Sequence, residues 1–171
     1  DRVVVPLFRP TVRRRIGAVC AVLLFILLAG ATYQGVATAL ERREFPRPGG
    51  LVSVGDHQLH IYCTGKGTPT VVLEAPAAGL SAAWGEVQRR LSATTRVCSY
   101  DRTGLGWSET GDRPFEASRV PVELQTLLTR ASERGPFVVA GHGLGAAFAQ
   151  MFAARSDSNA AALVLIDPPP A

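Results

Sequence analysis

The chain has 171 residues, 47% of them hydrophobic and 19% charged, and a formal net charge of +4. It is too apolar for a disordered tail and too short for two large domains, so one modest domain with an appendage is expected. Arg2, Arg9, Arg13, Arg14 and Arg15 outweigh Asp1, and from Glu41 onward basic and acidic side chains balance, so the positive excess sits in the leader. A neutral body excludes a nucleic-acid binder, which needs a basic folded face.

Residues 1–15 read as a basic cytoplasmic leader. Ile16 to Leu40 follow without a charge and are closed by Glu41-Arg42-Arg43-Glu44. A helix of that length reaches about 37 Å, enough to cross a hydrocarbon core of about 30 Å. Ile16–Ala31 lacks the polar face that a globular helix would show. Ala29-Gly30-Ala31 resembles a cleavage site, which makes a signal peptide the rival reading. The apolar run is longer than a signal h-region, so residues 16–40 are read as an uncleaved transmembrane signal anchor. The excess of arginines before the span puts the N-terminus in the cytoplasm and the body outside, which in a bacterium means an inner-membrane anchor and a periplasmic domain. Ala31, Gly35 and Ala39 recur at four-residue spacing, a small-residue seam suited to a transmembrane helix partner.

Residues 41–50 form a linker, with Pro46, Pro48, Gly49 and Gly50 as breakers, and the folded domain spans 51–171. Leu51–Val54, a Gly55-Asp56 turn and Gln58–Cys63 read as a β-hairpin. Thr70–Glu74 is a short apolar strand. Ser81–Leu91 reads as a helix with Ser81 as N-cap and Trp84, Val87 and Leu91 on its buried face. Arg96–Tyr100 is another strand. Val120, Leu124, Leu127 and Leu128 mark an amphipathic helix, Phe137–Ala140 a strand, Leu144–Ala154 a helix and Leu163–Ile166 a last strand. A hairpin followed by alternating strands and helices implies an α/β fold with a mostly parallel sheet of about six strands.

Strand, tight turn and helix coincide at Phe137-Val-Val-Ala-Gly-His-Gly-Leu-Gly-Ala-Ala. Gly141-His142-Gly143-Leu144-Gly145 resembles the nucleophile elbow, G-x-S-x-G, of the α/β-hydrolase fold. Tyr100-Asp-Arg-Thr-Gly-Leu-Gly-Trp-Ser108 resembles that family's turn after the fourth strand, and Thr70–Gly79 its third strand and oxyanion loop. The resemblance runs from Leu51 to Asp167 and is to membrane-anchored bacterial members, over the N-terminal half of the fold.

The family's elbow carries a serine that attacks a carbonyl after a histidine takes its proton. Here the position is Gly143, with nothing to attack. Pro76 in the oxyanion loop has no N–H to offer, which leaves the backbone amides of Ala77 and Leu144 at the oxyanion positions. One serine-to-glycine change would account for Gly143 alone; together with Pro76 it points to decay of the site. The family's acid and histidine follow later strands than those read here. His142 packs under the elbow, His57 and His60 are surface or packing residues of the hairpin, and Asp101 and Arg102 brace their own turn. No metal-ligand spacing is present, and no cofactor is implied. The second and fourth strands of the family's sheet are antiparallel neighbours, which implies a Cys63–Cys98 disulfide in an exported domain; Cys20 lies in the span. These readings predict a catalytically inactive, membrane-anchored hydrolase-like protein acting as an accessory or structural subunit of a membrane complex, an energy-converting one among the candidates. The alternative is an active serine ester hydrolase seen as a mutated or incomplete chain.

Overall fold

The computed structural model describes residues 10–44, 47–112 and 114–170. The chain divides into two units, Asp1–Pro46 and Arg47–Ala171. The first nine residues of the leader, and Phe45 and Pro46 of the linker, lie outside the described residues.

The described residues of the first unit up to Glu44 form one helix, α1, Pro10–Glu44. Its stretch Arg14–Thr38, with a mean hydropathy of 2.3, is long and apolar enough to cross a membrane. This lies two residues N-terminal of the expected 16–40. The helix also runs on into residues assigned to the linker, because Glu-Arg-Arg-Glu contains good helix formers and no breaker. Ala31, Gly35 and Ala39 all fall within α1. Ala31 and Gly35 are exposed, as are the large apolar side chains of the span, Phe25 and Leu27 among them.

The second unit opens with an antiparallel hairpin of β1 (Gly50–Ser53) and β2 (Gln58–Thr64), as expected from the Gly55-Asp56 turn. Next come β3 (Thr70–Glu74), α2 (Gly85–Leu91, entered through a 3-10 turn at Ser81–Trp84) and β4 (Val97–Tyr100). They are followed by α3 (Val120–Arg130), β5 (Phe137–His142), α4 (Leu144–Ala153) and β6 (Ala160–Ile166). The six strands form one sheet in the order β1-β2-β4-β3-β5-β6. β2 pairs antiparallel with β4, while β4, β3, β5 and β6 run parallel.

Alternation along β3, β4 and β5 separates two cores, one on each face of the sheet. Val72, Cys98 and Val139 pack with Leu124, Leu127 and Leu128 of α3 and Ala149 and Phe152 of α4. Leu73, Val97 and Ala140 point the other way, toward Trp84. The four apolar positions expected on α3 are all buried. On β6, Leu163, Val164, Leu165 and Ile166 are exposed.

Two local expectations fail around α2. Ser81 makes no side-chain cap; Leu80 occupies the cap position, and the Ser81 N–H donates instead to Asp101 Oδ1 at 2.6 Å. Val87 and Leu91 are 40% and 37% exposed, and Gln88 turns inward at 2%. Its amide donates to Tyr62 O at 2.9 Å and Thr64 Oγ1 at 3.2 Å, while its carbonyl accepts from Ser99 Oγ at 2.6 Å. Apolar spacing weighs hydrophobic burial alone; here a buried amide satisfied on both sides is the better fit.

Candidate functional site

The site lies where β3, β4 and β5 end together. β5 leads through His142 into Gly143, whose backbone has φ 55° and ψ −126°, and α4 begins at the next residue. That left-handed conformation makes the turn sharp and suits glycine. Gly143 N donates to Ile166 O at 2.9 Å, and Gly143 O accepts from Ala146 N at 2.9 Å. Leu144 opens the helix, so its amide is among the donors with no intrahelical partner.

The three glycines of the elbow are glycine for different reasons. A Cβ on Gly145 would overlap Ala75 O and lie 2.6 Å from Glu74 O; one on Gly141 would overlap Gly145 O and lie 2.6 Å from Ala146 Cα. These are backbone-to-backbone approaches, and no rotamer relieves them. A Cβ on Gly143 would meet only Pro76 Cβ, at an ordinary 3.5 Å. The nucleophile position is thus roomy but bare.

The oxyanion loop is held from below by Arg102, buried and 5% exposed. Nη1 donates to Ala75 O at 2.6 Å, and Nη2 donates to Pro76 O at 2.6 Å and Ala77 O at 2.7 Å. The same guanidinium pairs with the Glu74 carboxylate, which also accepts from the Tyr100 hydroxyl. Its Cζ lies 5.2 Å from the ring centroid of Phe148 on α4, within cation–π range. Arg102 therefore reaches well beyond its own turn, tying the end of β3, the loop and α4 together.

Asp101 does brace its turn, and more. It accepts from the ring of His60 at 2.9 Å, from Ser81 N at 2.6 Å and from Trp107 N at 3.1 Å. Burial pushes its carboxyl up, but the hydrogen bonds from His60, Ser81 and Trp107 outweigh that and hold it below the usual carboxylate range. His60 is fully buried, with its other ring nitrogen 2.6 Å from Pro48 O. His57 is also buried, placed between Asp56 and the Thr103 hydroxyl at 2.8 and 2.9 Å. Both hairpin histidines are therefore interior packing residues. His142 is half-buried at the end of β5, opposite Ile166. Beside the turn, a cleft of about 170 Å³ opens between Thr103, Gly104, Phe115, Arg119 and Glu123.

Burial pushes the Glu74 carboxyl up to about 7, against the opposing pull of Arg102 and Tyr100. Its folded-state pKa lies above the unfolded value of 4.5, so between these values the folded state holds a proton that the unfolded chain releases. Its contribution to stability is therefore complete below about pH 4.5 and is lost as pH rises through about 7, by on the order of 3 kcal/mol. Asp101, shifted downward, acts oppositely and loses stabilisation in acid. The thermal midpoint of the domain should fall from pH 5 to pH 8, and Glu74→Gln should flatten that slope; an unchanged slope in the variant would show that another group causes it.

The model of the alpha/beta hydrolase family matches residues 67–171, and the chain belongs to that family. It is 38% identical over 82 residues to an uncharacterised protein of Schizosaccharomyces pombe, covering 48% of this chain and 15% of that one. It is 30% identical over 129 residues to an uncharacterised vacuolar membrane protein of Saccharomyces cerevisiae, covering 65% and 20%. The crystal structure of an N-formylmaleamic acid deformylase from Pseudomonas putida superposes with a TM-score of 0.62 at 28% identity, covering 71% of this chain and 47% of that one. The chain thus spans a fifth or less of these curated relatives. Both are fungal, whereas the resemblance read from the sequence was to membrane-anchored bacterial members.

Proposed function

We propose that this chain is a membrane-tethered α/β-hydrolase-like module that does not hydrolyse esters and serves as an accessory or structural subunit of a membrane protein complex. The observation that carries the reading is Gly143: the elbow keeps its backbone turn while the position of the attacking hydroxyl holds no side chain. Turnover in comparable serine hydrolases falls about 10⁶-fold when the nucleophile is removed. The apolar helix supports the tether, and Ala31, Gly35 and Ala39 support close packing against a second helix. The arginine-rich leader supports a cytoplasmic N-terminus with the domain outside. The yeast relative's name favours a membrane location, and the fungal relatives lend a bacterial inner membrane no support.

The full chain in detergent should turn over no p-nitrophenyl ester and take no label from a fluorophosphonate; turnover blocked by that reagent overturns the reading. Mild extraction followed by native electrophoresis should show co-migrating partners, whereas a lone small species removes the accessory role.

A second reading, an active serine ester hydrolase seen as a mutated or C-terminally incomplete chain, draws on the room at Gly143. It requires a serine at position 143 in the parent gene, with an acid and a histidine encoded downstream; a glycine there in the parent gene removes this reading.

A further inference from the structure

Cys63 of β2 and Cys98 of β4 are partners in the antiparallel register, joined by a disulfide with Cα atoms 4.0 Å apart. A third group stands over them. α3 ends in a turn in which Ser132 has φ 61° and the amides of Ser132 and Glu133 donate back to Thr129 O and Leu128 O. This Schellman-type cap returns the chain toward the sheet. One ligand atom from each of Cys63, Cys98 and Glu133 lies within 4.8 Å of the others. The Glu133 carboxylate is 11% exposed and is held by both arms of Arg96, at 3.1 Å from Nε and 2.6 Å from Nη2. A third Arg96 hydrogen bond, from Nη1 to Gly65 O at 3.2 Å, fixes the guanidinium in turn.

We infer that Cys63, Cys98 and Glu133 form a thiol-gated site for a thiophilic divalent cation of the zinc or cadmium type, closed while the disulfide stands and opened by its reduction. Charge is the first argument. With the disulfide intact, Glu133 and Arg96 cancel. Reduction leaves two neutral thiols, and the two negative charges that form as they lose their protons beside a buried core are costly unless paired. A divalent cation restores neutrality, so the metal-bound and disulfide forms carry the same net charge.

Ligand chemistry is the second argument. Two sulfurs and one carboxylate oxygen suit such ions, with bonds of about 2.3 Å to sulfur and about 2.1 Å to oxygen, and they leave a fourth position for water. Arg96 supplies the outer hydrogen bonds that orient a ligating carboxylate. Cys63, only half-buried, gives access.

The reaction balances without any further component. A dithiol passes two electrons and two protons to the Cys63–Cys98 bond and is itself oxidised to a disulfide. The two new thiols then bind the cation and release two protons. Sequence spacing does not reveal the site, because its ligands come from two strands and a helix cap.

The test uses the 171-residue Cys20→Ser chain in detergent, with cadmium as probe. After reduction and anaerobic removal of reductant, the chain should bind one cadmium with a thiolate-to-metal charge-transfer band. The unreduced chain should bind none. Cys63→Ser should lose the band, and Glu133→Gln should weaken binding about 10-fold or more. Should reduction unfold the domain, cadmium should restore its circular dichroism. Failure of the reduced chain to bind or refold with cadmium overturns the proposal, as does a band that persists in Cys63→Ser, and full affinity in Glu133→Gln removes the carboxylate from the site.

Discussion

Arg102→Met should lower the stability of the folded domain by about 3–5 kcal/mol, because removing one member of a buried pair leaves the other charge uncompensated. Glu74 is 1% exposed and would retain only the Tyr100 hydroxyl. The carbonyls of Ala75, Pro76 and Ala77 would lose their guanidinium donor at the same time. Methionine roughly fills the aliphatic volume, so the loss reads as electrostatics and hydrogen bonding more than as a cavity. The pH dependence separates these causes. Without the cation Glu74 is pushed further upward and takes a proton more readily, so the penalty should be smaller at pH 5 than at pH 8. Combining Arg102→Met with Glu74→Gln should recover part of the loss by removing the lone charge, while the loop carbonyls stay unpaired. Urea unfolding of the four proteins at the two pH values measures this. A loss below about 1 kcal/mol, the scale of an exposed ion pair, would show that the guanidinium does not hold the loop.

The sequence makes one part of this site legible and hides the other. Apolar spacing places Val120, Leu124, Leu127 and Leu128 correctly because their burial is periodic along one helix. The hairpin is marked by its Gly-Asp turn, and the elbow by three glycines within five residues. Glu74 and Arg102 leave no such trace. They lie 28 residues apart on different elements, and only the parallel pairing of β3 with β4 brings them together. Arg102 therefore read as a local brace, although its hydrogen bonds run to the oxyanion loop. Gln88 escaped for a related reason, since its place is set by acceptors on β2 and β4 that no window of α2 contains. Cross-sheet polar contacts are a property of topology, and the sequence reports them only once strand order is known.

The glycines of the elbow make the remaining large effect testable, and they bear on what the motif means. Gly145→Ala should destabilise the domain by about 3 kcal/mol or more, because the added methyl meets the carbonyls of Ala75 and Glu74, and backbone cannot rotate away as a side chain can. Gly141→Ala should behave alike against Gly145 O and Ala146 Cα. Gly143→Ala should cost only about 1–3 kcal/mol, the conformational penalty of an L-residue in sparsely populated positive-φ backbone, because Pro76 Cβ at 3.5 Å leaves it room. Thermal or urea unfolding of the three variants gives the order. If Gly143→Ala proves the most damaging, close packing is not what demands glycine here. If the order holds, the outer glycines answer to the seating of α4 against the end of β3, a requirement that stands whether or not anything is hydrolysed. The central position is under no such packing demand, and its serine is needed for chemistry alone. A chain released from catalysis can therefore lose the nucleophile and still show the rest of the motif, so the surviving pattern is evidence for the fold and not for the reaction.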